Sequence, residues 1–143
     1  MRQNSIPVRH LYGGRVAWAD TDAGGRIHFT AAFRWAEAAE HDLLRSLGHS
    51  FHGGFPRVDV QATYRAPLRF DDEFEVALGV DKVGRTSVGY TWEIRTQDEV
   101  AIKGCHRVVY VGRGERPEPL PAELRGQLAG MLLRTSAEPV ADC

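Results

Sequence analysis

One long helical pattern, entered from an acidic turn and followed by stretches of period two, limits this chain more than any other feature. The segment from Trp18 to Gly48 reads WADTDAGGRIHFTAAFRWAEAAEHDLLRSLG. It leaves an apolar strand, turns through Asp20, Asp22 and the Gly24-Gly25 pair, and then becomes helical. Phe33, Ala36, Leu43, Leu44 and Leu47 recur at helical spacing, Thr30 is the expected N-cap, and Gly48 stands where a left-handed cap belongs. From Thr30 to Leu47 such a helix is about 27 Å long at its usual rise. The Ala-rich flank of the helix carries little charge and would let a curved sheet approach closely.

The remaining segments read as strands and one short helix. His10–Trp18 is the expected first strand, with Gly13-Gly14 marking a bulge or kink. His49–Pro56 is a loop. Beyond it, Val58, Val60, Ala62 and Tyr64 alternate with polar residues and predict a half-buried strand that stops at Pro67. Phe74–Val80, Ser87–Thr96 and Val100–Val111 follow, joined by turn signals at 83–86 and 97–99. Leucines at 124, 128, 132 and 133 predict a closing helix over Pro121–Leu133. Strands at hairpin spacing favour an antiparallel sheet with the long helix packed on one face, an α+β layer arrangement. We expect one domain over residues 1–143, with 1–8 a loose lead-in and 134–143 a frayed tail.

Composition narrows the function classes. A net charge of −1 gives no global attraction for nucleic acid or an anionic membrane. No apolar run is long enough to insert in a bilayer, so a cytoplasmic protein is expected. Cys105 and Cys143, the only cysteines, imply neither a disulfide framework nor a metal site, and Cys105 reads as a packing residue in a reduced protein. His28, His49, His52 and Asp59 make no zinc motif. Ser50 and Ser87 lack a nucleophile elbow, and the Gly-Gly pair lacks the lysine and spacing of a phosphate loop.

What remains is the acidic turn. A carboxylate just before a helix start stands beside unpaired N–H groups and a partial positive charge. A carbonyl polarised there is open to attack by the acid, or by water that the acid activates. Asp22 reads either as that catalyst or as a turn acid. Asp20 reads as a turn-stabilising acid, and Gly24 and Gly25 answer to close backbone approach or positive φ. Glu37 is open to a supporting role or to an ordinary pair with His41, one turn on. Trp35 and Trp92 read as core or interface residues, and the 49–55 loop, with Phe51 and Phe55, as the segment that shapes substrate choice.

A strand ending in an aromatic followed by x-D-T-D-A-G-G, a long helix with an early Glu, then Y-x-x-P-L-x-x-D-D and R-P-x-P-L-P, together resemble hotdog-fold thioesterases of the 4-hydroxybenzoyl-CoA and Tol-Pal-associated type. The resemblance spans Val16 to Leu128. It implies a hotdog domain, a five-stranded antiparallel sheet wrapped around one central helix, that hydrolyses an acyl-CoA or aroyl-CoA without metal or cofactor, CoA being part of the substrate. It implies Asp22 as nucleophile or general base, the Phe29 backbone N–H as oxyanion donor, and Glu37 as the early helical acid. Gly25, His28, Arg85, Thr86 and Ser87 are the implied substrate-binding residues, with Lys103 or Arg107 as further phosphate contacts. A homodimer joined edge to edge, assembling to a homotetramer, is implied as well. The chain departs from many Tol-Pal-type members in carrying Phe29 where they have histidine. His28 sits one position earlier, which turns its side chain by about 100° on a helix. Two other readings remain: release of a polyketide or fatty acyl chain from an acyl-carrier protein, and a non-catalytic acyl-CoA-binding module.

Overall fold

The computed structural model describes residues 9–50 and 54–132. Its elements run β1 (Arg9–Arg15), α1 (Ala31–Ser46), β2 (Arg57–Tyr64), β3 (Glu73–Val83), β4 (Ser87–Thr96), β5 (Glu99–Val109) and α2 (Ala122–Ala129). The five strands form one antiparallel sheet in the order β1-β3-β4-β5-β2. Strands β3, β4 and β5 are a meander. The two strands that flank α1 in sequence therefore lie on opposite edges of the sheet, which wraps the helix as expected. The β4–β5 turn places Gln97 and Asp98 at φ 50° and 64°, the left-handed pair that suits a two-residue hairpin between twisted strands.

Helix α1 holds to its predicted span within a residue at each end. It closes with a Schellman arrangement: the His49 N–H reaches the Leu44 carbonyl and the Gly48 N–H that of Arg45, with Gly48 at φ 88°. Its buried face is the alanine flank, Ala31, Ala32, Ala36 and Ala39, joined by Trp35, Leu43 and Leu44. Phe33 and Leu47, expected in the apolar stripe, are only half-buried. Small side chains let α1 settle onto β1 and β3, where Trp35 stacks on Phe74 at 4.1 Å. Each fully buried leucine contributes about 1.5–3 kcal/mol, which makes this face the main anchor of the helix.

Three expectations are corrected. The first strand ends at Arg15, and Trp18–Asp20 is a short 3₁₀ turn. The ladder stops because Val16 exchanges both of its backbone bonds with Asp71 and Asp72. Gly13-Gly14 is no bulge, since β1 pairs β3 in unbroken register from Arg9 to Arg15. Gly14 instead makes room for an aromatic ring, because a Cβ there would lie 2.6 Å from Cζ of Phe74. Finally, β2 is an edge strand paired only with β5, and Val58, Val60 and Tyr64 are 45%, 50% and 43% exposed.

At the other end of the chain, α2 stops at Ala129, short of the predicted Leu133, with Leu124 and Leu128 buried. Cys105, read as a packing residue, is buried on β5. The expected lead-in, the tail with Leu133 and Cys143, and Phe51 and His52 of the 49–55 loop lie outside the described residues. Among the described residues no helix is long and apolar enough to cross a membrane.

Candidate active site

The acidic turn is built by short-range backbone bonds. The Asp22 N–H donates to the Arg26 carbonyl at 2.9 Å, and the Gly25 N–H to that of Asp22 at 3.0 Å. Buried Ile27 ties the turn to the sheet end through its N–H to the Leu68 carbonyl, 3.0 Å away. Gly25 has φ 81° with open space where a Cβ would stand, so glycine serves the left-handed backbone there and not a close approach. One carboxylate oxygen of Asp22, Oδ1, accepts the Gly24 N–H at 2.8 Å. Among the described residues Oδ2 has no hydrogen-bond partner.

Asp20 is occupied differently. Its Oδ2 accepts the Ala17 N–H at 2.8 Å, and Oδ1 pairs with Arg34 Nη2 at 2.7 Å. Both oxygens hold the turn together, so the two aspartates of the motif have separate geometries.

The helix start supplies the second half of the site. Thr30 occupies the N-cap position without making the expected capping bond; its hydroxyl meets His28 Nδ1 at 2.7 Å instead. The Ala31 N–H donates to the His28 carbonyl at 2.9 Å, and the Thr30 N–H to His28 Nδ1 at 3.3 Å. The Phe29 N–H is left without an acceptor among the described residues. All peptide bonds here are trans. With the His28 carbonyl turned in toward the helix, the Phe29 N–H of the same peptide unit points the opposite way, off the positive end of α1. The Phe29 carbonyl, in turn, accepts the Tyr64 hydroxyl at 2.6 Å.

Asp22 and Phe29 line one open pocket of about 540 Å³. Ile27, Ala66, Pro67 and Leu68 give it apolar wall, Tyr64 a phenol, and Arg26 and Arg65 two guanidinium groups with no ion pair among the described residues. The residues that carry an unused carboxylate lone pair and an unused N–H proton thus line one cavity that can take a ligand. That pairing suits attack on a carbonyl carbon with stabilisation of its developing oxyanion.

A model of the thioesterase superfamily matches residues 24–103, more than half of the chain. The chain belongs to the thioesterase superfamily. It is similar to a 1,4-dihydroxy-2-naphthoyl-CoA hydrolase of Thermosynechococcus vestitus, 30% identical over 135 residues that cover 85% of this chain and 92% of the relative. Among solved structures it resembles a gentisyl-coenzyme A thioesterase, with TM-score 0.78 and 25% identity over 82% of this chain and 98% of the other. It also shares the fold of a Synechocystis 1,4-dihydroxy-2-naphthoyl-CoA thioesterase, with TM-score 0.78 and 19% identity over 85% and 96% of the two chains. The architecture is the hotdog fold, and the protein is a thioester hydrolase.

For a thioesterase the remaining predicted residues fall in three places. His28 and Gly25 border the turn without lining the pocket; the His28 ring stacks on Phe29 at 4.7 Å. Glu37 lies on α1 away from the pocket wall, 3.1 Å from Arg57 Nη2. Arg85, Thr86 and Ser87 sit at the β3–β4 turn, at the opposite end of the sheet from Asp22. Their end is fixed by the pairing of Val83 with Val88, whereas the Asp22 turn follows the pairing of Arg15 with Glu73. Along the eleven residues of β3 that separation is about 30 Å. Within one chain these three residues do not meet Asp22.

Two features of this thioesterase are not evident from its sequence. Tyr64, read only as a strand residue, reaches the helix start. Glu40, given no role, is fully buried beside His106 on β5. The indole of Trp92 donates to His106 Nδ1 at 3.0 Å, so that nitrogen carries no proton and Nε2–H donates to Glu40 Oε1 at 2.7 Å. Arg57 Nη2 lies 2.9 Å from the same oxygen. The available signal for Glu40 was a charged residue between the apolar positions Ala36 and Leu43.

Proposed function

We propose that this thioesterase hydrolyses an aroyl-CoA to the free acid and CoA, with Asp22 as the reacting carboxylate and the Phe29 N–H as oxyanion donor. One observation carries the reading: Asp22 Oδ2 and the Phe29 N–H, unpaired among the described residues, belong to residues that line the same pocket. The similarity to hydrolases named for 1,4-dihydroxy-2-naphthoyl-CoA and gentisyl-CoA supports an aromatic acyl group. So does the apolar wall of Ile27, Ala66, Pro67 and Leu68.

The substrate carbonyl oxygen accepts the Phe29 N–H, and the positive end of α1 stabilises charge that grows there as the carbon becomes tetrahedral. As nucleophile, Asp22 forms an acyl anhydride and expels CoA thiolate, and water then splits the anhydride. As general base, Asp22 takes a proton from water, which adds to the carbonyl before the thiolate leaves. Both routes consume one water and release one acid and one thiol. The reaction uses no metal or cofactor.

The proposal extends to assembly. The exposed edge of β2, with Val58, Val60 and Tyr64 on it, suits antiparallel pairing with a second copy. A homodimer formed there brings the partner's opposite strand end toward this pocket, and thereby supplies the distant β3–β4 turn, with Arg85, Thr86 and Ser87, as a CoA-phosphate contact. Further association gives a homotetramer. The proposed location is the cytoplasm.

Thiol release from a substrate panel tests the function. Aroyl-CoAs should turn over at least tenfold faster than short aliphatic acyl-CoAs, and faster than the same acyl group on a carrier protein. Fastest turnover on the carrier-protein thioester, or tight acyl-CoA binding without hydrolysis, would replace this reading with one of its rivals.

A further inference from the structure

Tyr64 ends the edge strand and lines the pocket beside Asp22 and Phe29. Its contact with the Phe29 carbonyl has only one possible direction. A carbonyl oxygen accepts and never donates, so the phenol supplies the proton of the 2.6 Å bond. A phenol has a single proton. With that proton committed, the Tyr64 oxygen offers only lone pairs to whatever enters the pocket.

The commitment is well supported. The Phe29 carbonyl lies before the first turn of α1, where the Phe33 N–H is already taken by the Thr30 carbonyl. Among the described residues Tyr64 is its only donor. Burial pushes the Tyr64 phenol above its ordinary pKa, so the proton stays in place through the neutral range. The other polar side chains of the pocket, Arg26, Arg65 and Asp22, are charged, whereas Tyr64 is a neutral acceptor of fixed orientation at the helix start.

We propose that Tyr64 is a specificity-determining residue: its oxygen accepts a hydrogen bond from a hydroxyl group on the acyl portion of the substrate. The thioesterase then favours hydroxyaroyl thioesters over the matching unsubstituted aroyl thioesters. The inference rests on the aroyl-CoA reading and deepens it. The pocket is open, so water competes for the same lone pair, and the preference is about tenfold or less. A sealed pocket would discriminate far more strongly.

The experiment compares kcat/KM for benzoyl-CoA and for 2-, 3- and 4-hydroxybenzoyl-CoA, in wild type and in Tyr64→Phe. Wild type is expected to favour at least one hydroxy isomer over benzoyl by about tenfold, and Tyr64→Phe to bring that ratio within about twofold. The ratio is taken on one preparation, so a partly unfolded variant does not disturb it. Tyr64→Met, which also removes the hydroxyl and keeps apolar bulk, is read in the same way. If Tyr64 only positions the Phe29 peptide, both substrates slow together and the ratio is unchanged. That result, or a wild type indifferent to the hydroxyl, overturns the inference while leaving aroyl-CoA hydrolysis intact. Turnover of aliphatic acyl-CoAs with none of any benzoyl-CoA overturns the aroyl reading beneath it.

Discussion

Two carboxylates of this protein differ in almost every physical respect. Glu40 is fully buried, with Oε1 facing His106 and Arg57 and Oε2 lying 3.3 Å from Arg57 Nη1. Asp22 is exposed at a pocket, with one oxygen held by its own turn and the other without a partner among the described residues. A buried charge stripped of partners is costly, so Glu40 persists only because its partners are supplied. An exposed charge costs little, and its unspent hydrogen-bonding capacity is available to a ligand. Saturation of partners marks an acid that holds the fold, and an unused lone pair in a pocket shared with an unpaired donor marks the one we propose to react. Asp20, tied on both oxygens, belongs with Glu40 in this respect.

The largest expected effect separates the two acids by stability. Removing Glu40 as Glu40→Ala leaves Arg57 and His106 without their buried partner and should cost about 3–5 kcal/mol. Asp22→Asn, whose amide oxygen can still accept the Gly24 N–H, should change stability by less than about 1 kcal/mol. Chemical denaturation of both variants reads this directly. Equal losses would erase the distinction between the sites.

Next in size is the proposed oxyanion donor. Phe29→Pro deletes the N–H and should lower kcat by about 10²–10³-fold. Phe29→Ala keeps the N–H and should stay within a few-fold of wild type. Steady-state thiol release on both variants decides whether the backbone or the ring matters, and a larger loss in Phe29→Ala would assign the role to the ring.

The smallest effect concerns Tyr90, packed between the Glu40 cluster and the core. Burial, and then the negative charge of Glu40, raise its pKa well above the ordinary phenol value. A group raised in the folded state gives stability that is fully present below its unfolded pKa, about 10, and is lost as pH rises beyond it. Tyr90→Phe should therefore flatten the fall in stability above about pH 10. An unchanged alkaline slope would remove Tyr90 from the buried cluster's electrostatics.

Much of the fold could be read from local pattern because its signals are local. The switch from helical to alternating period located α1 and the strands, and Ser87–Thr96 coincides with β4 residue for residue. The turn with Asp20, Asp22 and Gly25 was equally legible, since Asx bonds and a left-handed glycine span only a few residues. What escaped depends on contacts far apart in sequence. No period says that β2 lies at an edge, so its apolar alternation read as burial. Glu40 and His106 are separated by 66 residues, and Tyr64 and Phe29 by 35, so neither pair exists until the sheet closes around the helix. Gly14 was misread because the ring that demands it arrives from β3.

In the proposed mechanism the second carboxylate oxygen of Asp22 carries the chemistry. The most direct measurement is single-turnover thiol release with enzyme in excess over a hydroxybenzoyl-CoA, wild type against Asp22→Asn, alongside the affinity of each for the intact thioester. Asp22→Asn should bind the thioester within a few-fold of wild type and release CoA at least about 10³-fold more slowly, a barrier increase of about 4 kcal/mol. Release at the wild-type rate from a folded Asp22→Asn enzyme would contradict that mechanism.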